Sequence, residues 1–414
     1  MYQKSTLGNG LRIVSEEISS VKSATIGIWV GSGSRNETSQ NLGVSHFIEH
    51  LLFKGTENRS AREIAETVDA VGGQFNAFTT KEYTCYYIKV ISKHLPLAME
   101  VLSDMLFHPK FDLADIDKER EVVLEEIHMY EDAPDETIHD LYMETVWPDH
   151  PLGRSILGNI TSIGQINEDN VRNYYQQNYV PTNMVLAGAG NVAHQELVEM
   201  ASQYFGSYSG ALAKQVLSVP QFNRDVFVRN RKIEQMHICV GTPGLPFDDE
   251  HAYTLNVLNT VLGGGLSSRL FQSIREDRGL AYSVYSYLSS YQDAGLFTLY
   301  AGTRPANAQA VLALMQSEMK NLRDHGISYA ELARAKEYIK GNLLLGLENT
   351  SSRMTRLGKL ELTLNKIISV EEVIDRIECI SVSDVTELAR RLFVADKTCI
   401  TALGPSKVKF KVAL

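Results

Sequence analysis

The sequence predicts an α+β protein built from two halves of similar fold. The chain has 414 residues, which is more than one hydrophobic core usually holds. Segments with strand-like alternation and segments with helical periodicity follow one another, and their order repeats after a polar stretch near residue 210. We therefore expect an N-terminal domain over residues 1–210, a linker over 211–225 and a C-terminal domain over 226–414.

In the first half, patterns rich in Val, Ile and Thr predict strands, and apolar residues at helical spacing predict helices. We expect strands within residues 11–30 and 74–90. A helix is expected to start near Val44 or Ser45, a plausible N-cap, and to end near Phe53 before Gly55. Further helices are expected over residues 61–71, 94–107 and 112–130.

The second half repeats this order of elements. We expect a strand over residues 236–240, helices over 253–262 and 270–276, strands within 281–301 and a long helix over 329–345. Glycines separate the corresponding elements in both halves. The second half has no paired histidines, so any chemistry that depends on them belongs to the first half.

The composition argues against several classes of protein. Lys and Arg number 40 against 50 Asp and Glu, and a net charge of −10 opposes binding to nucleic-acid phosphates. The apolar stretches are shorter than the roughly 18 residues that span a bilayer, so we expect no membrane segment. The N-terminus resembles no targeting segment, and the four cysteines lack metal or redox spacing, which favours the cytosol.

The segment from His46 to His50 indicates a metal site. Two imidazoles four residues apart lie on one face of a helix, where both can bind one zinc ion. Glu49 borders the same face and could act on water at the metal. Apolar neighbours indicate that this helix is largely buried, and buried histidines need partners.

A catalytic zinc needs a third protein ligand, and the helix over residues 112–130 offers two candidates. Glu119 and Glu126 are seven residues apart and share an apolar stripe of that helix, where a carboxylate needs a cation. The alternative is a solvated charged face that Glu119 and Glu126 form with Lys118 and Arg120. The spacing does not decide between these readings.

The string His-Phe-Ile-Glu-His is the inverted zinc motif, and its setting resembles the pitrilysin, insulysin and mitochondrial processing peptidase family. The segments over residues 72–79 and 151–158 also resemble that family. The resemblance implies two halves, each with a mainly antiparallel sheet flanked by helices. It also implies one zinc per chain on His46, His50 and Glu126, with Glu49 as general base and then acid, and Glu119 as a supporting residue.

The same resemblance implies substrate-binding residues. An edge strand with Asn76, Ala77, Phe78 and Thr79 would bind an extended peptide through its main chain. Arg275 and Tyr282 resemble residues that large members of the family place opposite the zinc. Glu136 and Asp140 resemble two carboxylates that recognise an arginine two residues before the cleaved bond.

The length matches about half of a large single-chain pitrilysin, so the resemblance implies a homodimer that closes around a chamber. Arg275 and Tyr282 of one subunit would face the zinc of the other. We therefore expect a zinc endopeptidase of the bacterial cytosol that acts on peptides or unfolded segments. The alternative is a non-catalytic peptide-binding or scaffold subunit. A nucleotide site is not expected, because Gly31-Ser32-Gly33 and Gly188-Ala189-Gly190 lack a third glycine that opens a helix.

Overall fold

A computed structural model describes residues 2–212 and 217–405 of the chain. Its strands, in chain order, are β1 (Tyr2–Thr6), β2 (Arg12–Glu17), β3 (Ser23–Val30), β4 (Gln74–Thr79), β5 (Thr84–Ile91), β6 (Met184–Gly190), β7 (Val226–Asn230), β8 (Met236–Pro243), β9 (Ala281–Ser290), β10 (Gly295–Thr303) and β11 (Cys399–Gly404).

The helices, in the same order, are α1 (Val44–Leu52), α2 (Ala61–Asp69), α3 (Leu95–Phe107), α4 (Leu113–Glu131), α5 (Pro134–Val146), α6 (Ile160–Gln165), α7 (Glu168–Asn178), α8 (His194–Phe205), α9 (Ala252–Gly263), α10 (Ala308–His325), α11 (Tyr329–Gly346), α12 (Thr350–Leu364), α13 (Val370–Glu378) and α14 (Val382–Leu392). A short π-helical segment covers Phe271–Glu276. None of the described helices is both long enough and apolar enough to cross a lipid bilayer.

The two sheets have the same strand order and the same strand directions. The first sheet has the order β1-β2-β6-β3-β5-β4, and the second has the order β7-β11-β8-β10-β9. Strands β2 and β6 pair in parallel, as do β7 and β11, while the other neighbouring pairs are antiparallel. Apart from β1, each strand of the first sheet has a counterpart at the same place in the second. This confirms the predicted fold class of two similar halves.

Most of the expected elements lie where the sequence patterns predict them. The helices expected over residues 61–71, 94–107 and 112–130 are α2, α3 and α4, with ends within two residues of the expected ones. No expectation covers β1, because this short strand lies at the sheet edge, is rich in polar residues and has no fully buried residue. The helix expected over residues 270–276 is π-helical rather than α-helical.

The chain forms two compact units, and each unit takes segments from both halves of the sequence. The first unit comprises residues 1–128, 155–217 and 346–368, and the second comprises residues 129–154, 218–345 and 369–414. The expected linker over residues 211–225 lies between α8 and β7 in sequence, and its residues 213–216 lie outside the described residues. Two helices belong to the unit formed mainly by the other half of the sequence. Helix α5, from the first half, belongs to the second unit, and α12, from the second half, belongs to the first.

Packing explains why these two helices are exchanged. Helix α12 covers one face of the first sheet, where the buried Trp29 donates a hydrogen bond to Met354 Sδ at 3.3 Å. The helix approaches so closely that a Cβ on Gly358 would lie 2.1 Å from Trp29 Nε1. Helix α5 covers a face of the second sheet in the same way, with the buried Tyr142 over Gly241.

The opposite face of the first sheet holds the main core of the first unit. Helices α1, α3, α4, α7 and α8 all contribute buried apolar residues to it. Helix α1 contributes Phe47, Ile48 and Leu51, which are nearly or fully buried. Because these residues anchor one side of α1 to the core, the directions of its remaining side chains are fixed.

Candidate active site

Helix α1 follows a glycine and is capped by a buried glutamate. Gly43 is the N-cap residue, and its φ of 87° lies in the left-handed region that favours glycine. The two carboxylate oxygens of Glu37 accept hydrogen bonds from the N–H groups of Gly43 and Ser45, each at 2.8 Å. Helix α1 starts at Val44 as predicted, but neither Val44 nor Ser45 is the N-cap, because Gly43 takes that position and Glu37 supplies the capping oxygens.

The side chains of His46 and His50 lie together with the carboxylate of Glu126. The centroids of the two imidazole rings are 4.6 Å apart. Helix α4 brings Glu126 Oε2 to 3.7 Å from His46 Nε2 and to 3.5 Å from His50 Nε2. The three donor atoms all lie within 4.8 Å of one another. The structure therefore brings together the three residues that the sequence analysis expects to bind metal.

This donor set fits a zinc ion. Two donor atoms at about 2.0–2.2 Å from a tetrahedral zinc are about 3.3–3.6 Å apart. The separations of 3.5 and 3.7 Å between the histidine nitrogens and Glu126 are close to that range. Two histidines and one glutamate are also a ligand set of catalytic zinc sites, where a fourth position stays open. Zinc is the metal that this geometry and chemistry suit.

Glu119 supports the site through His50. Its Oε2 lies 3.1 Å from His50 Nδ1, and its Oε1 lies 2.7 Å from Lys54 Nζ. Glu119 is only 4% exposed, so it does not belong to a solvated charged face with its neighbour Lys118. The bond at Nδ1 leaves His50 Nε2 directed to Glu126 and fixes the orientation of the ring.

The three potential ligands differ in their electrostatic environment. Burial and, to a smaller extent, the neighbouring His50 lower the pKa of His46 to about 4, while the charge of Glu126 acts in the opposite direction. Burial also disfavours charge on His50, but hydrogen bonds to Glu126 and Glu119 outweigh it and raise its pKa. The hydrogen bond to His50 lowers the pKa of Glu126. The ionised carboxylate and the neutral His46 are the forms that bind a metal.

Glu49 lies beside these residues and is bonded to the edge strand. Thr79 Oγ1 donates a hydrogen bond to Glu49 Oε2 at 2.5 Å. Burial raises the pKa of Glu49, while the bond to Thr79 and the charge of His50 act in the opposite direction. A carboxylate with a raised pKa is a better proton acceptor near neutral pH than an exposed one. The position of Glu49 and its raised pKa fit the general base role that the sequence analysis expects.

Strand β4 contains the predicted peptide-binding residues Asn76, Ala77, Phe78 and Thr79. It lies at the edge of the first sheet and pairs with β5 on one side. Asn76 is exposed, and its Oδ1 accepts a hydrogen bond from the Ala77 N–H at 2.8 Å. Phe78 packs against Trp29 with ring centroids 5.6 Å apart. Because Thr79 bonds Glu49, this edge strand adjoins the candidate base directly.

The other predicted substrate residues lie in the second unit, in two separate places. Glu136 and Asp140 are one turn apart on α5, and their charges, after burial, raise the pKa of Tyr130. Arg275 donates a hydrogen bond to the Tyr282 carbonyl oxygen at 2.8 Å, and its guanidinium carbon lies 4.5 Å from the centroid of the Tyr282 ring. The Tyr282 side chain is 80% exposed.

Comparison with known proteins shows which family this chain belongs to. The sequence model described as "Insulinase (Peptidase family M16)" matches residues 12–160, and the one described as "Peptidase M16 inactive domain" matches residues 165–339. The uncharacterized zinc protease YmxG of Bacillus subtilis is 46% identical over 98% of this chain and 99% of its own length. The chain belongs to peptidase family M16. A further M16 relative, an uncharacterized zinc protease of Streptomyces coelicolor, is 44% identical over 98% of this chain and 90% of its own length.

Two solved structures share the fold over nearly the whole chain. A protease from Helicobacter pylori matches with a TM-score of 0.91 and 24% identity over 97% of this chain and 99% of that one. A peptidase M16 inactive domain from Pseudomonas fluorescens matches with a TM-score of 0.92 and 20% identity over 99% of both chains. The region matched by the M16 insulinase model contains His46, His50 and Glu126, while Arg275 and Tyr282 lie in the region matched by the inactive-domain model.

Two contacts of the site could not be predicted from the sequence. Glu37 precedes α1 by several residues, and its capping role depends on a loop conformation that turns its carboxylate back to the helix start. Lys54, in the turn after α1, shares the Glu119 carboxylate of α4 with His50, and this contact joins segments that are distant in sequence. Glu119 could be predicted because it is a polar residue in an otherwise apolar stripe of its helix. Glu37 and Lys54 have no comparable feature in the sequence.

Proposed function

We propose that this M16 protein is a zinc-dependent endopeptidase. The observation that carries the proposal is the convergence of His46, His50 and Glu126 within 4.8 Å of one another, with Glu49 on the same helix as the two histidines. One zinc per chain, held by these three residues, supplies a Lewis acid for the scissile carbonyl and for water.

The residues around the zinc ligands have separate roles in this reaction. Glu49 takes a proton from the attacking water and passes it to the leaving amine. Thr79 holds the Glu49 carboxylate through its hydroxyl and thereby limits its rotation. Glu119 orients His50 through the hydrogen bond at Nδ1. The ammonium group of Lys54 balances the negative charge of the Glu119 carboxylate.

The substrate in this proposal is an extended peptide or an unfolded segment. Its main chain adds to the outer edge of β4, where Asn76, Ala77, Phe78 and Thr79 offer backbone hydrogen-bonding groups. This mode of binding selects extended chains rather than particular sequences. Glu136 and Asp140 add a preference for an arginine near the cleaved bond, because two carboxylates one turn apart can share a guanidinium.

The active form in this proposal is a homodimer that closes around a chamber. Arg275 and Tyr282 of one subunit complete the site of the other, where the guanidinium would stabilise negative charge on the substrate. The stacked pair is consistent with such a role, since Arg275 is already ordered by Tyr282 and by the Phe271 ring, whose centroid is 4.8 Å from its guanidinium carbon. We also propose a location in the bacterial cytosol, where the four free cysteines would stay reduced.

Hydrolysis of an unfolded fluorogenic peptide tests the enzymatic proposal. We expect a chelator to abolish cleavage and added zinc to restore it. Glu126→Gln should lose both zinc and cleavage, while Glu125→Gln, an exposed neighbour on the same helix, should keep both. Binding of the peptide without cleavage by the zinc-loaded protein would contradict the proposal and would favour a non-catalytic peptide-binding subunit.

A mixing experiment tests whether the site is shared between subunits. Arg275→Ala and Glu49→Gln should each be inactive alone. After subunit exchange in the presence of zinc, mixed dimers should contain one intact site and regain part of the activity. Mixed dimers that are demonstrably formed and metal-loaded but stay inactive would rule out a shared site.

A further inference from the structure

The loop between β3 and α1 is bonded to the turn between β4 and β5. The N–H groups of Ser34 and Arg35 donate hydrogen bonds to the carbonyl oxygens of Thr80 at 3.2 Å and of Lys81 at 2.7 Å. Gly33 permits this contact, because a Cβ at that position would lie 2.2 Å from the Thr80 carbonyl oxygen. The two main-chain hydrogen bonds and this close approach fix the register between the loop and the turn.

A buried ion pair joins the same two segments. Arg35 Nη1 lies 2.6 Å from Glu82 Oε1, and the two side chains are 1% and 12% exposed. Helix α12 brings a second cation towards this carboxylate: burial lowers the pKa of Lys359, and the charge of Glu82 acts in the opposite direction. Apolar side chains often stabilise a buried contact as well as an ion pair does, so stability alone does not account for the charges. What the ion pair adds is geometry, because a guanidinium bonds a carboxylate in a narrow range of orientations.

Both sides of this contact lead to the candidate active site. Glu37, two residues after Arg35, caps the start of α1. Thr79, the last residue of β4 before the turn, donates its hydrogen bond to Glu49 on α1. The loop is therefore bonded to the start of the helix that carries Glu49 and also to the turn that follows the edge strand.

We propose that Arg35 is a positioning residue for peptide hydrolysis, because its ion pair with Glu82 sets the distance between the peptide-binding strand β4 and Glu49 on α1. A displacement of about 1 Å between reacting groups can cost about 100-fold in rate, so a small shift of the turn is enough to slow the reaction. Arg35 acts through Glu82 and the turn rather than on the substrate. The inference deepens the proposed function and rests on it, since it assumes a peptide held on β4.

Steady-state hydrolysis of an unfolded fluorogenic peptide by the zinc-loaded protein tests the proposal. Arg35→Met removes the cation and keeps a long side chain. We expect kcat to fall about tenfold or more, with KM within about twofold and zinc affinity unchanged, because the edge of β4 and the three expected metal ligands remain. Arg35→Lys should keep more of kcat than Arg35→Met, since it retains the charge that pairs with Glu82.

Arg353→Met is the matched control for Arg35→Met. Arg353 forms another largely buried ion pair of the first unit, which joins α12 to Glu16 at the end of β2. Its loss removes a guanidinium–carboxylate contact from the same unit without affecting the turn between β4 and β5. We expect kcat of Arg353→Met to stay within about twofold of the wild-type value.

A double variant separates position from stability. Arg35→Met alone leaves the nearly buried Glu82 carboxylate with one cation fewer, which costs stability. Arg35→Met combined with Glu82→Gln removes both charges, so its free energy of unfolding should lie closer to that of the wild type. Its kcat should stay about tenfold or more below the wild-type value, because the ion pair no longer fixes the turn.

Hydrogen exchange of the main-chain amides of residues 33–37 gives a readout that does not depend on catalysis. The amides of Ser34 and Arg35 are bonded to the turn, so we expect them to exchange about fivefold faster in Arg35→Met and in the double variant. Exchange in Arg353→Met should be unchanged. Unchanged exchange in the first two variants would show that the turn is held without the ion pair, and would overturn the proposal.

The kinetic results distinguish failure of this inference from failure of the proposed function. A wild-type kcat in the folded double variant would overturn the proposal, as would an equal loss of kcat in Arg353→Met. A tenfold rise in KM with unchanged kcat would overturn it too, since Arg35 would then support binding of the peptide rather than its placement. Each of these results, obtained with an active wild type, refutes the positioning role alone. A zinc-loaded wild type that does not cleave peptides refutes the endopeptidase itself.

Discussion

Replacement of Glu119 by Gln should weaken zinc binding while leaving the fold and the three ligands in place. The carboxylate is 4% exposed and lies 3.1 Å from His50 Nδ1. A hydrogen bond to a charged group contributes about 1.5–3 kcal/mol, and loss of such a partner behind a metal ligand typically costs about 10–100-fold in affinity. Glutamine keeps the volume and one acceptor oxygen but removes the charge that His50 and Lys54 share. We expect a zinc dissociation constant raised by about that factor.

Competition with a fluorescent zinc chelator measures this constant directly. Glu125→Gln is the matched control, because it removes a charge from the exposed side of the same helix. Thermal unfolding of the metal-free proteins shows whether either variant is destabilised. An unchanged zinc affinity in a folded Glu119→Gln protein would refute the reasoning that the bond to His50 supports the metal site. An equal loss in Glu125→Gln would refute it as well, since a general charge effect would then explain the result.

Two further predictions concern the scaffold around the site. Burial raises the pKa of Glu37 to about 7 from an ordinary value of 4.5, so its contribution to stability is full below pH 4.5 and is lost as the pH rises through 7. Between pH 4.5 and about 7, the free energy of unfolding of the wild type should therefore fall by about 3 kcal/mol relative to that of Glu37→Gln. Urea unfolding measured over this pH range checks the expectation, and parallel pH profiles of the two proteins would contradict it. Gly358→Ala should destabilise the protein by about 1–3 kcal/mol, because the new Cβ would lie 2.1 Å from Trp29 Nε1. Gly341→Ala, where nothing lies within 4 Å of the new Cβ, should be neutral or stabilising, and equal losses in both variants would disprove the packing argument.

Local patterns predicted the elements of the site well, because local physics decides them. The spacing of His46 and His50 places both imidazoles on one side of α1 whatever the rest of the chain does. The helix that contains Glu119 and Glu126 was predicted within one residue at each end. Whether these two carboxylates face a metal or the solvent was open, because that depends on how α4 packs against α1. The structure places Glu119 in contact with His50 and Lys54, which no periodicity reveals.

Features that depend on contacts between distant segments were not predictable in this way. The capping of α1 by Glu37 requires a particular path of the loop between them. Sequence patterns indicate only caps that lie directly beside the first helical residue. The exchange of α5 and α12 between the units depends on which sheet face each helix can cover. An aromatic cavity of the second unit joins Asp135 on a helix to Tyr285 and Tyr300 on two strands far along the chain. Each of these contacts joins segments that only the folded chain brings together.

The most direct test of the proposed chemistry is the zinc content and peptide cleavage rate of the wild type and of Glu49→Gln. We expect about one zinc per chain in both proteins, because Glu49 is not among the three expected metal ligands. Cleavage should fall by about 100-fold or more in the variant, since a general base contributes about 10²–10⁴ to the rate. A Glu49→Gln protein that holds zinc and cleaves peptides at the wild-type rate would contradict the assignment of Glu49. A wild type that holds no zinc would contradict the metal site itself.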